Sequence, residues 1–572
     1  MANDNRLRVV LCWHMNQPDY RDLISGQYHQ PWTYLHAIKD YVDMAAHLEA
    51  HPGARAVVNF TPILLEQLDD YARSVNGMLD DGMSIPDPLL AALAEPALPV
   101  DHGERETLVS ECLRANETRL IKRFPEFNRL VELARSFVSQ RHALEYVSRD
   151  FISDLVVWYH LAWLGETVRR NDTRVAALMK KGSHYNLHER RELLKIIGEI
   201  LKDLLPRYRA LAEAGQVELS VTPYSHPIVP LLLDIKCATE AMPGAPMPAV
   251  DAYPGGAERV RWHMQRGIEC FERHFGFKPA GCWPSEGSVS DATLAALDEF
   301  GIRWAATGES VLHHSTAGLG KEVDDESSHV LFQPHRVAES GPACFFRDDK
   351  LSDKIGFVYS DWHADDAVAD LVHHLESIGA SFADKGEAVV SIIMDGENAW
   401  EYYPENAYYF LTALYNTLSN HPHLRLTTFS ECLDEGVTVN HLPHLVPGSW
   451  VYGTFSTWIG ETDKNRAWEM LVDAKHAFDQ SIADGLSAKK LNRAEMQLAV
   501  CEGSDWFWWF GHDNPAETVR AFDELFRMHL ARLYQILGKE PPDYLAHSFT
   551  QGGGNPAVGG TMRHGKPVHE IG

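Results

Sequence analysis

Seven short apolar runs, with helical patterns between several of them, constrain the fold of this 572-residue chain more than any other feature. The runs lie at 7–13, 57–61, 217–221, 281–283, 304–307, 344–346 and 388–394. Between the later runs, apolar residues recur at helical spacing over 260–275, 291–300 and 364–378. Because strands that alternate with helices form parallel sheets with crossover helices, the pattern predicts an α/β fold and favours a barrel.

Two further regions predict structure outside the simple alternation. Between about 104 and 214 the apolar spacing is helical, which predicts a helical subdomain inserted in a barrel that spans 1–440. The alternation of strands and helices ends after residue 440, and 441–550 is predicted to form a helical domain. The last segment, 551–572, is rich in glycine and is predicted to be a mobile tail.

Charge and composition exclude several classes of partner. The formal net charge of −28 opposes binding to nucleic acid and to anionic membranes, because both are polyanions. No apolar stretch approaches the length of a membrane span. We find no signal-peptide pattern, and the eight cysteines are scattered without a CxxC pair, so a cytoplasmic protein with reduced thiols is expected. The sequence gives no indication of the oligomeric state.

Two carboxylates follow predicted strands in surroundings rich in glycine and tryptophan. Glu286 lies in GCWPSEGS, and Asp395 lies in IIMDGENAW. A carboxylate at a strand end, with glycine directly after it, is well placed to point into a cleft. Two such groups on opposite sides of a sugar linkage can act as nucleophile, acid and base. Whether they do so here depends on whether the rest of the chain builds a saccharide site around them.

Polar and aromatic residues near these positions are candidates for sugar binding. Hydrogen-bonding side chains suit sugar hydroxyls, and tryptophan faces stack on sugar rings. The candidates are His14, Asn16, Gln17, His226, Trp283, Glu397, Trp400, Trp458, Asp505 and Trp506. Each also has a structural interpretation, as a strand-end polar residue or as buried packing. No metal site is predicted, because His14 and His226 do not belong to an HxxxH or HxxE spacing.

Seven segments in fixed order resemble glycoside hydrolase family 57, and within it the amylopullulanase and α-amylase-like members. They are WHMNQP, GQVELSVTPYSHPIVPLL, GCWPSEGSVS, FFRDDKLSDKIGFVYS, IIMDGENAWEYYP, TWIGETDKNRAWE and EGSDWFWWFG. The segments run from residue 13 to about residue 511, and as an ordered set they are highly specific. The family's first motif usually reads His-x-His-Gln-Pro. Here Asn16 replaces the second histidine, and asparagine can hydrogen-bond but cannot carry charge.

The resemblance implies an incomplete (β/α)7 barrel, followed by a helical domain that completes the cleft. It also implies a retaining mechanism on α-glucans, with Glu286 as nucleophile, Asp395 as general acid/base and no cofactor. The resulting hypothesis is a hydrolase of maltodextrin, glycogen, starch or pullulan, acting on α-1,4 or α-1,6 linkages.

Two alternatives remain open. A 4-α-glucanotransferase or branching enzyme would use the same two residues, with a sugar hydroxyl in place of water. A non-catalytic glucan-binding protein would lack one of the two carboxylates, and both are present here. A metal-dependent deacetylase on a related barrel is disfavoured, because it needs an Asp/His cluster that the spacing does not show.

Overall fold

A parallel barrel of seven strands lies at the centre of the molecule. The structure is a computed structural model that describes residues 6–317, 327–383, 386–554 and 561–565. The barrel strands are β1 (Leu7–Met15), β2 (Ala56–Phe60), β3 (Val217–Val221), β4 (Gly281–Cys282), β5 (Trp304–Gly308), β6 (Ala343–Arg347) and β7 (Val389–Asp395). All seven predicted strands are confirmed, each to within two residues at either end.

The strands pair in chain order, and the ring closes because β1 and β6 both pair with β7. The predicted (β/α)7 barrel is thus confirmed, with seven strands rather than the more common eight. Every residue of β1 is buried, which explains the apolar run from Val9 to Trp13 in its sequence. Register places His14 of β1 beside Asn59 of β2 and Asp395 of β7. The strand ends therefore bring polar side chains from distant parts of the sequence to one edge.

Helices surround the barrel and fill the long connection between β2 and β3. That connection contains Pro62–Asp81, Pro88–Ala94, His102–Glu111, Pro125–Ser139, Arg149–Trp163, Glu166–Asn171, Thr173–Lys181 and Leu187–Glu213. Helical structure therefore begins earlier than residue 104. The other crossover helices are Trp32–His36, Val42–Ala50, Gly256–Phe275, Asp291–Asp298, Glu309–Ala317, Ser327–Leu331 and Ala364–Ser381. Tyr408–Ser419 and Phe429–Asp434 follow β7.

The region from residue 462 to 537 is mainly helical, and the described residues 561–565 return to the barrel. Its helices are Thr462–Ala483, Ala488–Cys501, Asp505–Trp509 and Ala516–Leu537. Of the predicted mobile tail, residues 551–554 and 561–565 are described, and both pieces make backbone hydrogen bonds to other segments. The remainder of that tail, 555–560 and 566–572, lies outside the described residues. In the described part of the chain, every helix is too short or too polar to cross a bilayer.

Candidate active site

A cleft of about 1330 Å³ opens at the carboxyl ends of the barrel strands. Seven of the predicted site residues line it: His14, Asn16, Gln17, Glu286, Asp395, Glu397 and Asp505. The wall also includes Trp32 and Arg114, and the guanidinium of Arg114 lies 4.5 Å from the centre of the Trp32 ring. Trp508 and Trp509, from the helical region after the barrel, line the same cleft.

Glu286 lies four residues after the end of β4, and an unusual backbone turn directs its side chain. Its φ of 57° and ψ of 27° lie in the left-handed region, which costs a non-glycine residue about 1–3 kcal/mol. The Trp450 indole N–H donates a 2.9 Å hydrogen bond to Glu286 Oε2. Burial raises the pKa of Glu286 well above its ordinary value, and the charges of Asp395 and Asp505 raise it further. The Trp450 hydrogen bond and the positive charge of Arg563 act in the opposite direction.

Asp395 is the last residue of β7, and the glycine after it has a packing reason. A Cβ on Gly396 would lie 2.4 Å from the Met15 sulfur, so a side chain there would require the buried Met15 side chain to move. The Gly396 N–H donates to the His14 carbonyl at 2.7 Å. Burial raises the pKa of Asp395 to about 6, although a hydrogen bond from Asn398 and the charge of Arg347 lower it. Asp395 is therefore a carboxyl group that can hold a proton near neutral pH.

Two further carboxyl groups share the cleft. Asp505 accepts a 2.8 Å hydrogen bond from the Asn16 side chain, and burial raises its pKa to about 7. Glu397 accepts from the Asn16 backbone N–H at 3.3 Å and from the Gln17 amide at 3.4 Å. Burial, and then the charge of Asp395, raise the pKa of Glu397 well above its ordinary value. Such a cluster can hold ionised and protonated carboxyls together, as acid/base chemistry requires.

The two predicted histidines form a buried, neutral pair beneath the cleft. Their facing Nε2 atoms lie 3.2 Å apart, and burial lowers the pKa of His14 to about 4 and that of His226 well below its ordinary value. We assign the protons from the hydrogen bonds. His14 Nδ1–H donates to Asn59 Oδ1, His226 Nε2–H donates to His14, and the Ser504 hydroxyl donates to His226 Nδ1. His226 therefore fixes His14 rather than lining the cleft itself.

A metal site at these histidines is not supported by the arrangement of side chains. Among the residues that the structure describes, no group of three or more His, Cys, Asp and Glu side chains is placed to hold an ion.

The four tryptophans predicted to bind sugar lie elsewhere. Trp283, Trp400, Trp458 and Trp506 are each at most 1% exposed, and none lines the cleft. The Trp400 indole donates to the Gly396 carbonyl, and the Trp506 indole donates to the Val500 carbonyl. These side chains are fully enclosed by protein, so we correct the expectation of direct sugar contact to one of packing behind the cleft wall.

The sequence-based candidates did not include four tryptophans that line the cleft, Trp32, Trp163, Trp508 and Trp509, or Trp450, which donates to Glu286. In the helix Asp505–Trp509, the residues three and four positions after Asp505 share its face, so Trp508 and Trp509 line the cleft with it. Trp506 points into the core. That spacing was a usable signal in the sequence. No comparable signal identified Trp450, because the segment around it is irregular and its indole direction depends on the tertiary fold.

Comparison with known proteins identifies the relatives of this chain. The model of glycosyl hydrolase family 57 matches residues 10–443. The 1,4-alpha-glucan branching enzyme of Thermococcus kodakarensis is 19% identical over 393 residues, which cover 57% of this chain and 55% of that protein. The chain thus spans about half the length of this curated relative.

Two solved structures are similar over nearly the whole chain. The GH57-type branching enzyme from Pyrococcus horikoshii has 17% identity and a TM-score of 0.56, covering 96% of this chain and 92% of that one. An α-amylase from Thermotoga maritima has 14% identity and a TM-score of 0.54, covering 93% of each chain. At such low identities the likeness shows a shared fold.

Proposed function

Because the chain belongs to glycosyl hydrolase family 57, we propose that it is a retaining enzyme of α-glucans, with Glu286 as nucleophile and Asp395 as general acid/base. One observation carries the proposal. Two carboxylates that follow β4 and β7 line the same cleft, and each is held by a neighbouring N–H donor. A retaining glycosidase needs such a pair, with one carboxylate ionised and the other protonated.

The proposed reaction has two steps. Glu286 attacks the anomeric carbon while protonated Asp395 gives its proton to the departing sugar oxygen, which leaves a glycosyl-enzyme ester. Asp395 then removes a proton from water, and the resulting attack on the anomeric carbon releases Glu286. The Trp450 hydrogen bond holds Oε2 of Glu286, so Oε1 is the oxygen available for attack.

The cleft wall supports a neutral, hydroxyl-rich substrate. The side-chain oxygens Asn16 Oδ1 and Glu397 Oε2 are buried and have no hydrogen-bond partner among the described residues. Both residues line the cleft, so these oxygens can bind sugar hydroxyls, with Gln17 and Asp505 beside them. Trp508 and Trp509 supply flat apolar surfaces. The net charge of −28 agrees with an uncharged glucan as the partner.

Hydrolysis of the α-amylase or amylopullulanase type is our first candidate, and glucan transfer is the second. The second is favoured by the relatives, because the curated match and one solved structure are branching enzymes. The cleft volume of about 1330 Å³ also gives room for a donor chain and an acceptor chain. We further propose a cytoplasmic location, supported by eight free cysteines, seven of them buried.

Product analysis tests the proposal and separates the candidates. Wild-type protein is incubated with maltoheptaose and, separately, with pullulan, and Glu286→Gln is the matched control. Short products alone indicate hydrolysis, longer or newly branched products indicate transfer, and maltotriose from pullulan indicates α-1,6 cleavage. Absence of any wild-type product, or equal products from Glu286→Gln, would refute the assignment.

A further inference from the structure

Residues 561–565, which we call the C-terminal strap, dock beside the catalytic edge of the barrel. The buried Gly565 donates its N–H to Asp353 Oδ2 at 3.0 Å, and its carbonyl accepts from the Tyr452 N–H at 3.0 Å. A Cβ at Gly565 would lie 2.4 Å from Asp349 Cγ and 2.6 Å from Arg347 Nη1. Only glycine can therefore occupy this docking position without displacing buried charged groups.

The groups under Gly565 support both proposed catalytic carboxylates. Arg347 lies at the end of β6, and its guanidinium donates to Asp349, Asp353 and the Ile393 carbonyl of β7. Ile393 is two residues before Asp395, and the charge of Arg347 lowers the pKa of Asp395. The same guanidinium lies 5.5 Å from the centre of the Trp450 ring. The strap is therefore anchored on the scaffold of the site.

Two residues before Gly565, Arg563 packs against a residue of the cleft wall. Its guanidinium donates to Thr457 Oγ1 at 3.2 Å and lies 4.7 Å from the centre of the Trp508 ring. Trp508 and Thr561 both line the cleft. Burial lowers the pKa of Arg563, and the surrounding acidic groups oppose that effect. The titratable groups that act on it are Glu286, Tyr452, Glu461, Lys464 and Asp513.

The charge of Arg563 opposes the acidic groups around Glu286. Glu286 shares the cleft with Asp395, Glu397 and Asp505. Burial and the charges of Asp395 and Asp505 raise the pKa of Glu286, whereas Arg563 lowers it. A nucleophile must be ionised when it attacks, so a cation on this side favours the reactive form.

We propose that the C-terminal strap is part of the active site, and that Arg563 is a positioning residue that supports the Glu286 carboxylate and the Trp508 wall. This inference rests on the proposed function. It assigns a role to a segment that lies more than a hundred residues beyond the family match, which ends at 443. It also explains the glycine at 565.

The test uses full-length protein and compares Arg563→Met, Arg563→Lys and Gly565→Val with wild type. Arg261→Met is the control, because Arg261 pairs with Glu299 at the surface, outside the site. For each protein, kcat and KM on maltoheptaose are measured from pH 4.5 to 8, together with the melting temperature.

Arg563→Met is expected to move the acid limb of kcat/KM to higher pH, with a further loss of roughly three- to tenfold at pH 5 relative to pH 7. Arg563→Lys should restore most of the acid-side activity, because it retains the charge. Gly565→Val should reproduce the shift by displacing the strap. The control should match wild type, and the melting temperature of Arg563→Met should remain close to that of wild type.

Two results would overturn the inference while leaving the proposed function intact. One is that the wild type is active and the pH profile of kcat/KM for Arg563→Met coincides with that of the wild type. The other is an equal loss at every pH that accompanies a lower melting temperature, which indicates a structural role. A wild type without turnover on any α-glucan would instead refute the proposed function, and the strap inference with it.

Discussion

Replacing Asp505 with asparagine is expected to stabilise the protein above neutral pH while it impairs turnover. The Asp505 side chain is 14% exposed, and burial raises its pKa from the ordinary 3.8 to about 7. Asparagine has the same shape and keeps an oxygen for the hydrogen bond from Asn16. It carries no charge, so the cost of burying an ionised carboxylate disappears.

The sign and size of the stability change follow from the pKa of Asp505 in the unfolded chain and its pKa in the folded protein. Its contribution to stability is fully present below pH 3.8 and is lost as the pH rises to about 7, because the unfolded chain ionises first. The shift of about three pH units corresponds to roughly 4 kcal/mol as an upper figure. An unfolding entropy of about 1.2 kcal/mol per kelvin for a chain of this length converts this to a Tm increase of roughly 2–3 °C.

Scanning calorimetry from pH 4 to 8.5 checks the prediction, alongside kcat/KM on maltoheptaose. The Tm advantage of Asp505→Asn should be near zero at pH 4 and largest above pH 7, and kcat/KM should fall about ten- to hundredfold. Asp172→Asn is the control of opposite sign, because hydrogen bonds from Arg174 lower the pKa of Asp172. It should lose stability at neutral pH and approach wild type in acid. A Tm advantage of Asp505→Asn that does not change with pH would refute this reasoning.

Three further predictions concern the cleft. An experimental structure should show the carboxyl groups of Glu286 and Asp395 about 5–5.5 Å apart, and a separation above about 9 Å would exclude the retaining pair. The rate should follow a bell-shaped pH profile whose alkaline limb lies near pH 6, the raised pKa of Asp395, and Asp395→Asn should remove that limb; a limb that persists would contradict the acid/base role. Trp508→Ala should raise KM and also lower Tm, because Trp508 is only 6% exposed, whereas Trp506→Ala should destabilise the fold by about 3–5 kcal/mol through a cavity without raising KM; equal effects on KM would contradict the assigned positions.

The barrel could be predicted because its strands are buried on both faces. Such strands appear as short continuous apolar runs, and turn residues or helices bound each run. β7 shows the pattern clearly, since six of its seven residues are buried and the polar Asp395 ends it. The positions of Glu286 and Asp395 in one cleft followed from the same reasoning, because parallel strands place their carboxyl ends at one edge.

The aromatic wall could not be predicted as well, because whether a tryptophan lines the cleft depends on the direction of its side chain more than on its residue type. Trp506 and Trp508 are two residues apart in one short helix, yet one packs in the core and the other lines the cleft. The strap was missed for a different reason. Its glycine-rich surroundings suggested mobility, and the contact of Gly565 with Arg347 joins residues more than two hundred positions apart.

Azide rescue tests the central claim most directly, because the two proposed roles give opposite anomers. Glu286→Ala and Asp395→Ala are each incubated with azide and an aryl α-maltoside whose leaving group needs no proton. Azide that replaces the nucleophile attacks from the β face, so Glu286→Ala should form the β-glycosyl azide. In Asp395→Ala, azide attacks the glycosyl-enzyme from the α face and should form the α-glycosyl azide. The same anomer from both variants, or the reverse pairing, would contradict the assignment of nucleophile and acid/base.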